Sequence, residues 1–170
     1  KIIRLLASAK KIAGEYVKNH SDVWLEYYVV LGWFHTLIAE DCEGMMRAMA
    51  DAEGIAQATV DTDLGMIDEI ILPSANMLFE LGEYGKAAER LKTGIQMCGK
   101  DAYKGIVPYI RKKMDLYACL LDTYYLSRDF GKCRDVIGII DEENRRNREL
   151  GVVKVIEAGY REEIEEVAYE

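Results

Sequence analysis

One stretch of this chain occurs twice. The residues from Leu78 to Ala87 read LFELGEYGKA, and those from Tyr124 to Cys133, 46 positions further on, read YYLSRDFGKC. Each copy runs from aromatic and apolar residues through an acid to an aromatic ring, then Gly-Lys and a small residue. A repeat of fixed period is typical of architectures in which each unit buries its apolar face only against its neighbours. The repeat therefore predicts a stack of similar units, which favours a binding surface over a catalytic pocket.

The composition indicates a folded protein without affinity for nucleic acid or membranes. Half of the 170 residues are apolar and 31% are charged, which predicts a folded domain rather than a disordered chain. The net charge is −8. Nucleic-acid binding depends on Lys and Arg to neutralise phosphates, so we expect no nucleic-acid partner. No apolar run approaches the ~20 residues that a membrane helix needs, so we expect no membrane span.

The cysteines and the first residue bear on the cellular context. Cys42, Cys98, Cys119 and Cys133 form no Cys-x-x-Cys pair and follow no signal peptide. This pattern predicts reduced thiols in a cytoplasmic protein. The chain opens on Lys1 rather than Met, and we interpret it as a piece of a longer protein.

Helical spacing of apolar residues runs through the whole chain, and no segment predicts a strand. Asp41 is placed to cap a helix by accepting a backbone N–H, and residues 59–63 form the clearest loop. Pro73 and Pro108 each mark either a first helical turn or a bend, and Gly99 suits a left-handed helix terminus. We expect about eight helices, over approximately residues 1–20, 23–38, 41–58, 63–81, 84–97, 101–126, 130–148 and 152–170.

The first copy of the repeat resembles a tetratricopeptide repeat (TPR). In that family the turn between the two helices of a unit reads Gly-Asp-Tyr, with a small residue three places on, where the helices cross. Gly82, Glu83, Tyr84 and Ala87 match this pattern. The ring would hold the second helix on the first, and the small side chain would allow close approach of the two backbones. We therefore expect Ala87 to be buried at a helix crossing.

The second copy matches less completely. Asp129, Phe130 and Cys133 fit the pattern, but Arg128 replaces the glycine and Leu121 stands at a position where the family has a small residue. The spacing of 46 also exceeds the usual 34, and no proline closes either unit. Longer helices or a longer connection would absorb the difference.

The resemblance implies an all-α, right-handed stack of antiparallel helical hairpins, that is, a TPR-like α-solenoid over residues 1–151. It covers residues 68–141 and extends to 22–58, with 1–20 as the second helix of a truncated unit. In the family the ligand groove is lined by the first helix of each hairpin. Carried onto this chain, the groove positions are Glu26, Trp33, Glu69, Asn76, Phe79, Asp122 and Tyr125.

Aromatic anchors with acids and one amide suit a basic or amphipathic peptide. For Trp33 and Phe79 the alternative is that they pack against neighbouring helices of the chain itself.

The C-terminal residues 152–170 carry the apolar stripe of a short coiled coil. Its members are spaced 3, 4, 4 and 3 apart, and glutamates lie between them. We expect this helix to dock on its own domain or to form a homodimer, with apolar contacts from Val153, Ile156, Tyr160, Ile164 and Val167. The ending IEEVAYE over residues 164–170 resembles the connector that enters a GGDEF (diguanylate cyclase) domain in bacterial signalling proteins.

The sequence offers no catalytic or metal-binding constellation. The only histidines are His20 and His35, and no His-x3-His or Cys-x2-Cys spacing occurs, so a zinc site has no support. Asp61 and Asp63 lack the further acids of a calcium loop. No phosphate-binding or dinucleotide-binding glycine motif occurs. We expect no catalytic residue, no metal and no cofactor.

The expected function is a protein- or peptide-binding regulatory or sensory module of a bacterial signalling protein. It would lie N-terminal to an output domain such as a diguanylate cyclase and would not itself be an enzyme. The alternative is a scaffold for self-association with no external ligand. The two differ in where exposed apolar surface concentrates, on the first helices of the hairpins or on the final helix.

Overall fold

The computed structural model describes residues 4, 5, 7, 8, 10, 11 and 21–167. Over these residues it contains seven helices and no strand, which confirms the predicted all-α class. The predicted helix over 1–20 lies mostly outside the described residues. The helices are Ser21–Phe34 (α1), Cys42–Thr59 (α2), the consecutive segments Asp63–Met66, Ile67–Ile71 and Leu72–Glu80 (together α3), Tyr84–Cys98 (α4), Val107–Leu126 (α5), Phe130–Asn147 (α6) and Ala158–Val167 (α7).

The chain divides into two compact units, Lys1–Leu81 and Gly82–Glu170. In the first unit α1 packs against α2, and α3 contacts both. The three helices meet at Gly32, where a Cβ atom would lie 2.9 Å from the sulfur of Met77 and 3.2 Å from that of Met49. A larger residue would force this close approach apart. The fully buried large side chains of this unit are Met45, Met49, Ile67, Ile70, Ile71, Met77 and Leu78.

The turn between α1 and α2 provides a side-chain cap for the N-terminus of α2. A π-helical turn, His35–Ala39, ends α1, and Glu40 follows with a left-handed φ of 50°. Asp41 Oδ1 accepts the backbone N–H of Gly44 at 2.9 Å, which confirms Asp41 as the cap of α2. A Cβ on Gly44 would overlap the Asp41 carboxylate and the His35 ring, so a larger residue would displace these two side chains.

Pro73 lies in the interior of α3, two residues after the end of the π-helical segment Ile67–Ile71. A proline inside a helix donates no N–H and crowds the preceding turn. Here that turn is widened, because the N–H of Leu72 donates to the carbonyl of Ile67, five residues back. The helix therefore continues through the proline by adopting a local π-helical geometry.

In the second unit α5 packs against both α4 and α6, and α7 packs against α6. The buried apolar side chains are Leu91, Met114, Leu116, Leu120, Leu121, Val136, Ile137, Ile140 and Ile164, among others.

The predicted start of α5 at residue 101 is wrong. Asp101–Tyr103 is a 3₁₀ turn, Gly105 has a φ of 79°, and α5 begins at Val107 with Pro108 in its first turn. A proline is favoured there because the first N–H groups of a helix have no acceptor within it.

Gly99 also differs from the expectation, since its φ is −83° and it ends α4 without a left-handed residue.

Both copies of the repeat form a helix, a short turn and a second helix. Gly82 adopts a φ of 72°, and Arg128, at the equivalent place, adopts a φ of 60°. The N–H of Ala87 donates to Glu83 O and that of Cys133 to Asp129 O, each at 3.0 Å. Ala87 and Cys133 are both fully buried. The turn geometry is thus repeated although the glycine is not, and the predicted burial of Ala87 is confirmed.

Candidate functional site

The predicted groove positions fall in both compact units. Glu26, Glu69 and Asn76 are exposed in the first unit, and Trp33 and Phe79 are half-buried there. Asp122 and Tyr125 belong to the second unit, on the last two turns of α5. Of these positions, Asp122 and Tyr125 are the ones with specific contacts to a docked segment of the chain.

Asp122 and Tyr125 make contacts with the C-terminal helix, which the sequence predicted to form a dimer. The hydroxyl of Tyr160 donates to Asp122 Oδ1 at 3.2 Å. The hydroxyl of Tyr125 donates to Glu163 Oε1 at 2.6 Å, and the rings of Tyr125 and Tyr160 lie 4.7 Å apart. The structure therefore brings together two sets of residues that the sequence assigned to separate interactions.

Two ion pairs extend this contact. The guanidinium of Arg161 donates two hydrogen bonds to the Asp141 carboxylate, at 2.8 and 2.9 Å. The ammonium of Lys154 donates to Asp115 Oδ1 at 2.8 Å. We call residues 152–167 the C-terminal segment. We call its acidic and aromatic docking surface the α5–α6 face, which consists of Asp115, Asp122 and Tyr125 on α5 and Asp141 and Asn144 on α6.

Asn144 holds the backbone of the C-terminal segment. Its amide nitrogen donates to Lys154 O and its amide oxygen accepts the N–H of Lys154, both at 2.8 Å. The Lys154 carbonyl is a group that a helix starting at residue 152 would pair internally, and Asn144 occupies it instead. The helix predicted over 152–170 therefore begins only at Ala158. Val153 and Ile156, predicted to share a helical stripe with Tyr160, lie in the non-helical residues 152–157.

Apolar burial along the C-terminal segment is sparse. Ile164 is fully buried and Val152 is 5% exposed, whereas Val153 is 54% and Val155 is 81% exposed. Val167, at the end of the predicted stripe, is also exposed. A cavity of about 290 Å³ remains between α5 and residues 154–157 and 160. The segment is thus held mainly by polar contacts, with Ile164 as its apolar anchor.

Two carboxylates of the α5–α6 face, Asp122 and Asp141, have opposite pKa shifts. The paired hydrogen bonds from Arg161 hold the pKa of Asp141 below its usual range. Loss of water around the Asp122 carboxylate raises its pKa, against the hydrogen bond from Tyr160. Burial raises the pKa of the Tyr160 phenol, and the charge of Asp122 adds to this shift. Asp141 is therefore well satisfied by its cation, whereas Asp122 is a carboxylate without a cation in direct contact.

Several contact residues were not identified from the sequence. Asp115 lies seven residues before the predicted position Asp122 on α5, so helical spacing could have identified it. Asp141, Asn144, Lys154 and Arg161 carry no local signal, because their partners are 10 to 39 residues away.

The described residues bear on metal binding and on thiol reactivity. No group of three or more His, Cys, Asp or Glu side chains within them is arranged to hold a metal ion. All four cysteines are free thiols. Burial raises the pKa of Cys133 to about 11 and also raises that of Cys119, so both are protonated at neutral pH. Among the described helices, none has both the length and the apolar character to cross a bilayer.

Comparison with protein-family models, with curated proteins and with solved structures gives no match to this chain.

Proposed function

We propose that this chain is a protein- or peptide-binding regulatory module whose ligand is a helical segment with basic and aromatic side chains. The observation that carries the proposal is the occupied α5–α6 face. There Lys154, Tyr160 and Arg161 of the chain itself contact Asp115, Asp122 and Asp141. A segment with these side chains therefore fits the face, and its chemistry agrees with a basic or amphipathic ligand.

The chemistry of the face supports a cationic ligand. It presents carboxylates at Asp115, Asp122 and Asp141 and the ring of Tyr125, against which the ring of Tyr160 packs at an interplanar angle of 52°. Asp122 is partly desolvated, which raises its pKa. A Lys or Arg placed beside Asp122 by an external ligand would offset that desolvation. Such a ligand would add a direct ion pair at this carboxylate, which in the chain itself receives the hydroxyl of Tyr160 and the longer-range charge of Lys154.

The repeat supports the module's architecture. Two copies with equivalent left-handed turn residues, Gly82 and Arg128, and buried small residues, Ala87 and Cys133, are consistent with stacked helical hairpins of the TPR type. Such stacks present extended surfaces for proteins and peptides. We include the right-handed hairpin stack in the proposal.

The regulatory part of the proposal rests on the chain's last residues. The stretch 164–170 resembles the connector into a diguanylate cyclase domain, and Ile164 is the buried anchor of the C-terminal segment. A ligand that displaces the segment would release Ile164. In a protein with a catalytic output domain after residue 170, ligand binding would thereby change how that domain is held.

The test is selection of helical peptides from a displayed library against the full chain with Arg161→Glu, which opens the α5–α6 face. We expect the selected peptides to carry Lys or Arg within one helical turn of an aromatic residue. They should lose binding when Asp141→Arg is introduced. Asp135→Arg is the matched control, because Asp135 is an exposed acid on another side of α6. Peptides equally sensitive to both changes, or to neither, would contradict the proposed site.

A further inference from the structure

We propose that the α5–α6 face is also a docking surface for the C-terminal segment of a second copy of this chain, so that two copies associate by exchanging residues 152–167. The inference rests on the same face as the proposed function. It names a second copy as the partner, and a second copy carries every side chain already seen on the face.

The C-terminal segment is attached to the rest of the chain at one point. After α6 and the 3₁₀ turn Arg148–Leu150, Gly151 has a φ of 68°. Every contact described above, from Lys154 to Ile164, lies beyond this residue. A change of backbone direction at Gly151 would carry all of the contacts to a neighbouring molecule unaltered. Elements joined through one such hinge are those that proteins exchange between identical copies.

Few interactions oppose detachment of the C-terminal segment from the α5–α6 face. The side chains in the two ion pairs are 33–51% exposed, and exposed pairs contribute little to stability. Val152 and Ile164 are the buried apolar residues of the segment, and the adjoining cavity of about 290 Å³ shows incomplete packing. Detaching the segment therefore uncovers little apolar surface.

A second copy would also cover two apolar side chains that are exposed in the single chain. Exposure alternates along residues 152–157, as it does along an extended chain. The outward positions Val153 and Val155 are β-branched and more than half exposed. In an exchanged pair the two hinge regions run past each other, so these valines of one copy would meet those of the other. A peptide ligand on the face would leave them exposed.

The test mixes two charge-reversed full chains. Asp141→Arg places two cationic side chains opposite each other within its own chain, and Arg161→Glu places two acids there. In an exchanged heterodimer both contacts become complementary. One contact then joins the two substituted side chains, which have opposite charges, and the other joins the unmodified Asp141 and Arg161. We expect sedimentation velocity to show about tenfold more dimer in the equimolar mixture than in either variant alone, because matched charges favour and like charges exclude a pairing.

The control is the double variant Asp141→Arg with Arg161→Glu in one chain. Its charges match within the molecule, so it should dimerise no more than the unmodified protein, and its helix content by circular dichroism should be unchanged. The pair Asp115→Lys and Lys154→Asp repeats the design at the second contact, in case one substitution impairs folding.

A mixture that stays monomeric in both designs would overturn the exchange. If peptide selection on the Arg161→Glu chain succeeds in that case, the proposed function stands without the exchange. Dimerisation of the mixture without any selected peptide would instead support the exchange and remove the external ligand.

Discussion

Asp122 and Asp141 lie on the same face but respond differently to their surroundings. Asp141 accepts two hydrogen bonds from Arg161, which lowers its pKa. The Asp122 carboxylate loses water, which raises its pKa. It accepts a hydrogen bond from the Tyr160 hydroxyl, which acts in the opposite direction but does not cancel the shift. Because its pKa is lowered, Asp141 stabilises docking at pH values above the ordinary carboxyl pKa. This stabilisation is lost as the pH falls through the lowered pKa of Asp141. The raised pKa means that docking weakens as the pH rises through the pKa of Asp122.

Docking of α7 should therefore be strongest at mildly acidic pH, where Asp141 is ionised and Asp122 is protonated, near the ordinary carboxyl pKa of about 4. The measurement is the NMR signal of the buried Ile164 methyl groups over a pH titration. Asp122→Asn should remove the weakening on the alkaline side. Asp141→Asn should weaken docking by about 0.5–1 kcal/mol near neutral pH, because it removes a partly exposed ion pair. Equal effects of the two changes would contradict the assigned shifts.

The left-handed turn residue of the second repeat provides another test. Arg128 has a φ of 60°, a conformation that glycine adopts without steric cost. Arg128→Gly should raise the free energy of unfolding by about 0.5–1 kcal/mol in urea melts. Gly82→Ala, at the same place in the first repeat, should lower it by about 1 kcal/mol. A loss of stability in the Arg128 variant would show that its side chain has a role that the turn geometry does not explain.

At the scale of the helices, most of the fold follows from local patterns. The cap at Asp41 and the turns of both repeats were predicted, because capping and turn chemistry act over a few residues. The late start of α5 and the non-helical residues 152–157 were not. Pro108 determines the first by its preferred position. Asn144 determines the second through the hydrogen bonds that it makes with Lys154 from another helix.

The buried small residue of the first repeat gives a prediction at this scale. Ala87 is fully buried in α4, so Ala87→Leu should reduce the free energy of unfolding by about 1–3 kcal/mol through overpacking. The matched control is Gly85→Ala two residues earlier, where an added Cβ meets open space. It should be neutral or stabilising by less than about 1 kcal/mol. Similar urea midpoints for the two variants would mean that the repeat alignment is wrong.

At the scale of the whole molecule, the candidate site could be predicted only in part. The family resemblance points to Asp122 and Tyr125, and heptad spacing points to Tyr160 and Ile164. The hydrogen bonds that join the two helices, from Tyr160 to Asp122 and from Tyr125 to Glu163, each span 38 residues of sequence. They depend on how α5, α6 and α7 pack, which no local pattern specifies. The predicted dimer through the C-terminal helix stays a prediction, and the exchange of segments gives it a specific geometry.

Salt distinguishes docking on the α5–α6 face from pairing of two acidic helices. The chain has a net charge of −8, and α7 carries Glu162, Glu163, Glu165 and Glu166. Docking relies on exposed ion pairs with Lys154 and Arg161, so raising NaCl should increase amide hydrogen exchange in α7. A coiled coil of two such helices brings glutamates together, so salt should strengthen it. Slower exchange at high salt would favour the coiled coil.

The α5–α6 face holds the chain's own C-terminal segment through Lys154, Tyr160 and Arg161. The most direct measurement is the nuclear Overhauser effect between the ring protons of Tyr125 and Tyr160 in the full chain, whose ring centroids lie 4.7 Å apart. We expect this signal in the unmodified protein, its loss in Arg161→Glu, and its return in the Asp141→Arg, Arg161→Glu double variant. Absence of the signal in the unmodified chain, with amides of α7 exchanging as fast as in an unfolded peptide, would contradict the claim.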